Sequence, residues 1–474
     1  MTGRFNFLVS KKESYKPIDV AGKRILVFGL GLHGGGVATT RWLIKHGAKV
    51  TVTDLKTAKL LAPSLKKLKG LKFTKVLGGH RAVDVKSAEI VVQNPAVPSD
   101  SPYLKQARKL NIPIINEATL FFWSCPVPII GVTGTKGKST VVAMIHDMLS
   151  QNKNQKSWLA GNIAKTAMLD ILDKVKNNDK VVLELSSWQL ENLSDHKLSP
   201  HVAVITNVLR DHLNRYSNFL SYIRAKQAIF KHQQAGDVAV INFDNSITKR
   251  FIAHGDAQRM WFSGRSRFSD DGAYIKKGSV RFRLNGQEQV LCPVVDLALP
   301  GQHNLENALA ATTAGLVSGA SVAQVCKTLK SFKGLADRLE FVRNFKNVAY
   351  YNDTTATTPD ATMAALETVG ATRPIVLIAG GEDKKLKYSS LIKIINKEVK
   401  AVVLLPGSAT EKIRDGLKIT RHEAANMPAA VQIAAEIVTP GDAVVMSPAA
   451  ASFGLFVNEF DRGMQFKRAA RRLK

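Results

Sequence analysis

The chain has 474 residues, room for about three domains at roughly 150 residues each. Hydrophobic residues make up 45% and charged residues 22%, too apolar for a disordered chain, and no apolar stretch reaches the ~18–20 residues of a membrane span. The start, MTGRFNFLVSKKE, lacks a long apolar signal core, and Cys125, Cys292 and Cys326 are too scattered for a metal knuckle or disulfide framework. The expected setting is a reducing cytoplasm, with no membrane partner.

Charge is the unusual number: 67 Lys+Arg against 38 Asp+Glu, a net +29. Such an excess raises a polyanion as partner. The basic residues, however, run from Lys11 to Lys474 and do not gather beside stacking aromatics. A solvated basic surface is the simpler reading, and no nucleic acid is expected as partner.

Short apolar runs followed by glycine turns or helix-like stretches set the fold class. In chain order they are RILVFG (24–29), EIVVQN (89–94), PIIGVT (128–133), VVLEL (181–185) and VAVITN (202–207). VAVIN (238–242), VAYYND (348–353), IVLIAGG (375–381), AVVLLPG (401–407) and AVVMSP (443–448) continue the series. Unbroken Val/Ile/Leu runs predict strands buried on both faces, hence a largely parallel sheet covered by helices. Ser321 reads as the N-cap of a helix over 321–332. The polar-turned stretch 262–292 predicts an antiparallel excursion in the middle of an α/β chain.

Nucleotide-type signals fall in three places and divide the chain into three α/β units. Gly29-Leu30-Gly31-Leu32-His33-Gly34 follows a predicted strand, and Asp54 closes the next one. The spacing fits a nucleotide-phosphate turn and equally a plain tight turn. Stronger is GVTGTKGKST (131–140), between a strand and the helix-like VVAMIHDML. Backbone N–H groups at such a helix start bind phosphate, the lysine reaches the terminal phosphates, and the hydroxyl ligates Mg²⁺. The glycine spacing is one residue longer than in a strict Walker A loop. Glu184 ends an apolar strand, where a carboxylate is costly unless paired or bound to metal. Asp211-His212 ends another strand, with Lys226 fourteen residues beyond His212 on a predicted helix.

Taken together these motifs resemble the Mur ligase family, over nearly the whole chain. Further marks are Gly161-Asn162, ELSSWQLE (184–191), GQHNLENA (301–308), ADRLEF (336–341), Asn352-Asp353, GGEDK (380–384), and SPAAASF (447–453) leading to Arg462-Gly463. ELSSWQLE and the serine-proline-alanine ending favour the branch that takes D-glutamate.

The resemblance implies a Rossmann-like UDP-binding domain (1–122), a central P-loop ATPase domain (123–334) and a C-terminal Rossmann-like acceptor domain (335–474) that closes on it. It implies an ATP-dependent acid–D-amino-acid ligase joining D-glutamate to UDP-N-acetylmuramoyl-L-alanine through an acyl phosphate, acting as a monomer in peptidoglycan precursor synthesis. By matching position, Gly134, Thr135, Lys136, Gly137, Lys138, Ser139 and Thr140 hold the ATP phosphates. Asn304, Asn307, Arg338 and Asp353 take the adenine-ribose-phosphate side. Leu32, His33 and Asp54 hold the uridine diphosphate part, and Asn162, Ser186 and Gln189 face the muramoyl group. Lys384, Ser452 and Phe453 face the amino acid. Two Mg²⁺ sites are implied, one on Ser139 and Glu184, one on His212 and Lys226, the lysine as its CO₂ carbamate. Lys138, His212 and Lys226 are the catalytic candidates.

Two positions depart from the family pattern. Thr355 stands where a lysine is usual, and Glu459 where an aromatic residue usually lines the acceptor pocket. Another ligase on this scaffold, including a folylpolyglutamate type, is the main alternative, and the glycine turn with Asp54 counts against folate.

Overall fold

The computed structural model describes residues 18–473 other than 33, 96, 99, 164–165, 211–215, 217, 252–255, 266–268, 300 and 385. His33, Asp211 and His212 therefore lie outside the described residues.

Among the described residues three sheets form, one in each of the proposed domains. The first is parallel, built from β1 (Arg24–Phe28), β2 (Lys49–Asp54), β3 (Thr74–Leu77), β4 (Ile90–Gln93) and β5 (Ile114–Ile115), in the order β3-β2-β1-β4-β5. The strand order reverses between β1 and β4, and ligands of open α/β sheets collect at that carboxyl edge. The glycine turn after β1 stands there.

The second sheet contains β6 (Ile129–Thr133), β7 (Ser157–Gly161), β8 (Lys180–Glu184), β9 (Val202–Ile205), β10 (Val238–Asn242), β11 (Gln258–Ser263), β12 (Gly272–Lys276), β13 (Ser279–Leu284) and β14 (Gln287–Pro293). Its order is β14-β13-β12-β11-β10-β9-β6-β8-β7. Pairing is parallel from β7 to β12 and antiparallel only in the last two steps, β12 with β13 and β13 with β14. The antiparallel excursion is thus an extension of the parallel sheet at one edge. Every residue of β6 is buried, whereas β13 alternates buried and half-buried positions, the signature of a strand covered on one face.

The third sheet contains β15 (Glu340–Phe345), β16 (Val348–Asn352), β17 (Ile375–Gly380), β18 (Val399–Leu405), β19 (Thr420–Glu423) and β20 (Ala443–Met446). Its order is β15-β16-β20-β17-β18-β19, antiparallel only between β15 and β16.

The chain divides into two compact units at Phe332/Lys333. In the first unit, the two sheets share one apolar core, in which Val27, Trp42 and Phe121 of the N-terminal region join Leu172, Leu183 and Leu193 of the central region. Polar contacts sew the same seam: Trp42 Nε1 donates to Asp173 Oδ1 at 3.0 Å, Arg41 to Asp170 at 2.9 Å, and Asn192 Nδ2 to the Ile114 carbonyl at 3.0 Å. Ser321 caps the helix Val322–Ser331 as expected, in a reciprocal capping box with Gln324.

Candidate active site

β6 feeds a tight loop into the helix Lys138–Ser150. Two glycines are required there. Gly134 and Gly137 have φ of +148° and +84°, and a Cβ at Gly134 would lie 1.8 Å from Thr206 Oγ1, one at Gly137 2.2 Å from Asn307 Oδ1. The loop therefore sits hard against the end of β9 on one side and the helix Gln302–Val317 on the other. That helix carries Asn304 and Asn307, and Asn307 is the one that meets the phosphate loop, at Gly137.

Asn207, just past β9, fixes the loop's backbone. Its Oδ1 accepts Lys136 N–H at 2.9 Å, its carbonyl accepts Thr135 N–H at 2.9 Å, and Thr206 Oγ1 donates to the Lys136 carbonyl at 2.6 Å. Lys138 Nζ donates to the carbonyls of Gly134 and Thr135, each at 3.0 Å. Its ammonium is folded back over the loop. Lys136 is exposed, and Thr140 is half-buried.

Ser139, on the first turn of the helix, donates to Glu184 Oε2 at 2.6 Å; both side chains are buried. The second oxygen, Oε1, accepts from Asn162 Nδ2 at 3.2 Å. Gly161 makes this approach possible, because a Cβ there would lie 2.3 Å from the Glu184 carbonyl. Lys226, 2% exposed, donates to the Gly134 carbonyl at 2.7 Å and lies 4.8 Å from the Tyr222 ring centre. Tyr222 in turn lies 3.2 Å, hydroxyl to hydroxyl, from Thr135. A hydroxyl and a carboxylate oxygen beside the glycine loop are hard oxygen donors, the set that suits Mg²⁺. The loop, Ser139, Glu184, Asn162 and Lys226 are thus brought together.

Other expected ligand contacts have work within the protein. Ser186 and Gln189 form a capping box at the start of the helix Ser187–Asp195, the Gln189 side chain accepting Ser186 N–H at 2.9 Å and the Ser186 hydroxyl accepting Gln189 N–H at 3.3 Å. Asp54 is 5% exposed and accepts the backbone N–H groups of Gly31 and Lys56 at 2.9 and 2.8 Å, clamping the glycine turn. Leu32 on that turn is largely exposed.

In the second unit, Asp353 follows β16 and is buried, accepting Leu339 N–H at 3.0 Å and the Ser447 hydroxyl at 2.8 Å. Burial pushes its pKa up to about 6. Thr355, standing where a lysine is usual, donates to the Asp337 carbonyl at 3.0 Å, so it braces the loop that presents exposed Arg338. Lys384 Nζ donates to Thr357 Oγ1 at 2.8 Å; desolvation eases loss of its proton, and nearby Glu459 opposes that. Ser452 is buried, Phe453 exposed. Arg462 is wholly buried and donates to Thr354 Oγ1 and to the carbonyls of Thr354 and Ala450, tying the two loops together.

Sequence reasoning passed over Asn207, Tyr222 and Thr357. Asn207 sits at the end of an apolar strand beside Asp211-His212, which was the available signal. The other two act through partners distant in sequence.

Three family models match in sequence: "Mur ligase MurD-like, N-terminal domain" over residues 23–116, "Mur ligase middle domain" over 132–315, and "Mur ligase, glutamate ligase domain" over 337–450. The chain is 42% identical over 464 residues to UDP-N-acetylmuramoylalanine–D-glutamate ligase of Roseiflexus sp. (strain RS-1), covering 95% of this chain and 99% of that protein. It is 40% identical over 459 residues to the protein of the same name from Borreliella afzelii (strain PKo), covering 95% and 98%. Among solved structures it is similar to UDP-N-acetylmuramate-alanine ligase MurC of Thermotoga maritima, with TM-score 0.57, 22% identity, and 95% and 100% of the two chains covered. MurF of Acinetobacter baumannii gives TM-score 0.57 at 15% identity, covering 96% and 92%. The last two likenesses speak to the fold alone.

Proposed function

The chain belongs to the Mur ligase family, and on that premise we propose that it adds D-glutamate to UDP-N-acetylmuramoyl-L-alanine with ATP, releasing ADP and phosphate, in peptidoglycan precursor synthesis. The observation that carries the reading is the buried Ser139–Glu184 hydrogen bond at the mouth of the glycine loop.

The chemistry is acyl activation. The substrate carboxylate attacks the γ-phosphorus, the bond to the ADP oxygen breaks, and an acyl phosphate forms. The amine of D-glutamate, having lost a proton, attacks the acyl carbon, and phosphate leaves. The loop N–H groups and Lys138 hold the phosphates and offset the negative charge on their oxygens. Asn304, Asn307, Arg338 and Asp353 are assigned to the adenosine side. Lys384 and Ser452 are assigned to the acceptor carboxylates, with Phe453 at the rim. The turn from Gly29 to Gly34, with Leu32, His33 and Asp54, takes the uridine diphosphate, and Asn162 the muramoyl group. Ser186 and Gln189 reach it only with the atoms their cap leaves over.

Bound Mg²⁺ supplies further charge neutralisation on the phosphates, with Ser139 and Glu184 as donors at one site and His212 and carbamylated Lys226 at a second. Lysine amine is a poor ligand for Mg²⁺, whereas its carbamate offers two oxygens. The burial of Lys226 and its hydrogen bond to the Gly134 carbonyl support that assignment, since they hold the side chain at the phosphate loop. We assign the enzyme to the cytoplasm as a monomer.

A phosphate-release assay with UDP-N-acetylmuramoyl-L-alanine and a panel of amino acids tests the reading. Release that requires D-glutamate is expected. Release with a different amino acid overturns the acceptor, and ATP-dependent addition of glutamate to a folate overturns the donor as well. For Lys226, ¹³C-bicarbonate should give a carbamate carbon resonance that Lys226→Ala lacks.

A further inference from the structure

Two of the three cysteines meet at the antiparallel edge of the nine-stranded sheet. Cys292 lies in β14 and is 2% exposed, whereas Cys326, on the helix Val322–Ser331, is partly exposed. Cys326 Sγ donates to the carbonyl of Leu291, the residue before Cys292, at 3.3 Å. That carbonyl belongs to the peptide joining Leu291 to Cys292, so the Cys326 sulfur sits against the backbone of Cys292, and each thiol is the strongest influence on the other's proton affinity. That influence is unequal: the neighbouring Cys292 favours the thiolate of the more exposed Cys326, while the buried Cys292 is held as the thiol. Lys330, one turn along the same helix, adds to the stabilisation of a Cys326 thiolate and pairs with Asp296 at 2.7 Å, pinning helix and strand edge together. Cys125 is different in kind: it is buried in the shared core and pushed up to about 12.

We propose that Cys326 and Cys292 are a reversible disulfide-forming pair that reacts with hydroperoxides, Cys326 being oxidised first and Cys292 resolving it. An accessible thiolate beside a cation is the nucleophile that such oxidants select. The Cys326 thiolate attacks one peroxide oxygen and the O–O bond breaks. The other oxygen leaves as an alcohol, or as water from hydrogen peroxide, taking a proton from solvent, and Cys326 becomes a sulfenic acid. Cys292 loses its proton and attacks that sulfur, the S–O bond breaks, and the hydroxide leaves as water with the proton Cys292 released. Two thiols are oxidised by two electrons in all, and one hydroperoxide is reduced. A dithiol reductant reverses the link by exchange.

The link spans the segment that carries the helix Gln302–Val317, with Asn307 against the phosphate loop. The helix holding Cys326 also bonds to the phosphate-loop helix, Thr328 Oγ1 donating to Asp147 at 2.6 Å. Oxidation therefore fastens the adenine side of the ATP site at both ends, and the oxidised protein should melt at a higher temperature.

Full-length protein is treated with a small excess of hydrogen peroxide, and free thiols are counted under denaturing conditions. The count is expected to fall from three to one, with a peptide joining Cys292 to Cys326 in the mass spectrum and full recovery with dithiothreitol. Cys292→Ala should leave a Cys326 sulfenic acid that a dione probe traps, and Cys326→Ala should leave Cys292 unreacted. Three thiols surviving, a link through Cys125, or links only between chains would each overturn the proposal. Because thiol counts need no turnover, these outcomes are independent of the ligase assay.

Discussion

Ser139 and Glu184, one on the first turn after the glycine loop and the other at the end of the neighbouring strand, are joined by a 2.6 Å hydrogen bond. The carboxylate is held on both oxygens, by Ser139 and by Asn162. Such a group is positioned before any ligand arrives, which is the arrangement that electrostatic stabilisation rewards. Glu184→Gln keeps an acceptor for Ser139 but removes the charge. Turnover should fall about 10²-fold or more, with a raised Mg²⁺ requirement, while the melting temperature stays within a few degrees. A variant with normal kcat and normal Mg²⁺ dependence would remove Glu184 from the metal assignment.

Lys138 offers the companion experiment. Its ammonium lies over the carbonyls of Gly134 and Thr135, and the Gly134 carbonyl keeps Lys226 as a donor, so Lys138→Ala should leave the fold standing. The loss should appear in kcat, by about 10²–10³-fold, as expected for deleting one stabilising donor. Circular dichroism on the same sample checks that the fold survives.

Glu459 sets the acceptor prediction. It begins the helix Glu459–Arg472 and acts electrostatically on Lys384, the cation assigned to D-glutamate. A carboxylate there competes with the ligand's own. Glu459→Phe should lower KM for D-glutamate several-fold and leave KM for ATP unchanged. It should also cost up to about 1 kcal/mol of stability, since an acid on a helix's first turn favours the helix dipole. Preference of the wild type for a cationic amino acid would make Glu459 a selector, not a handicap.

Glu117 governs a pH effect. Its carboxyl lies beside the start of the helix Gly35–Lys45, where a Cβ on Gly35 would come within 2.9 Å of Oε2, and burial pushes its pKa from 4.5 up to about 7. An acid with a raised folded-state value stabilises the fold fully below about 4.5 and loses that contribution as pH rises to about 7. The loss is at most ~3 kcal/mol, the equivalent of the rise from 4.5 to about 7. Glu117→Gln should therefore gain on the wild type in melting temperature between pH 5 and pH 8. A constant difference across that range would rule the effect out.

The parallel architecture was legible because unbroken runs such as PIIGVT and VAVITN need apolar neighbours on both faces. The short strands β3 and β5 and the mixed β7, SWLAG, lack that signal and are strands only because longer partners stand beside them. The phosphate loop was legible since its chemistry is local. Ser186 and Gln189 were not fully so: the same residue types serve a ligand or a helix cap, and here the cap uses them. Trp42 and Asp173 show the other limit, because their bond joins residues 131 positions apart that no periodicity relates.

That bond belongs to the core shared by the first two sheets, and the sharing bears on engineering. A chimera made by grafting another ligase's nucleotide-sugar domain at residue 122 would cut inside the helix Glu117–Ser124 and leave Leu172, Leu183 and Leu193 facing unmatched surfaces. Exchange of donor specificity should succeed when everything up to Phe332 is moved as a single cassette, or when the seam residues travel with the graft.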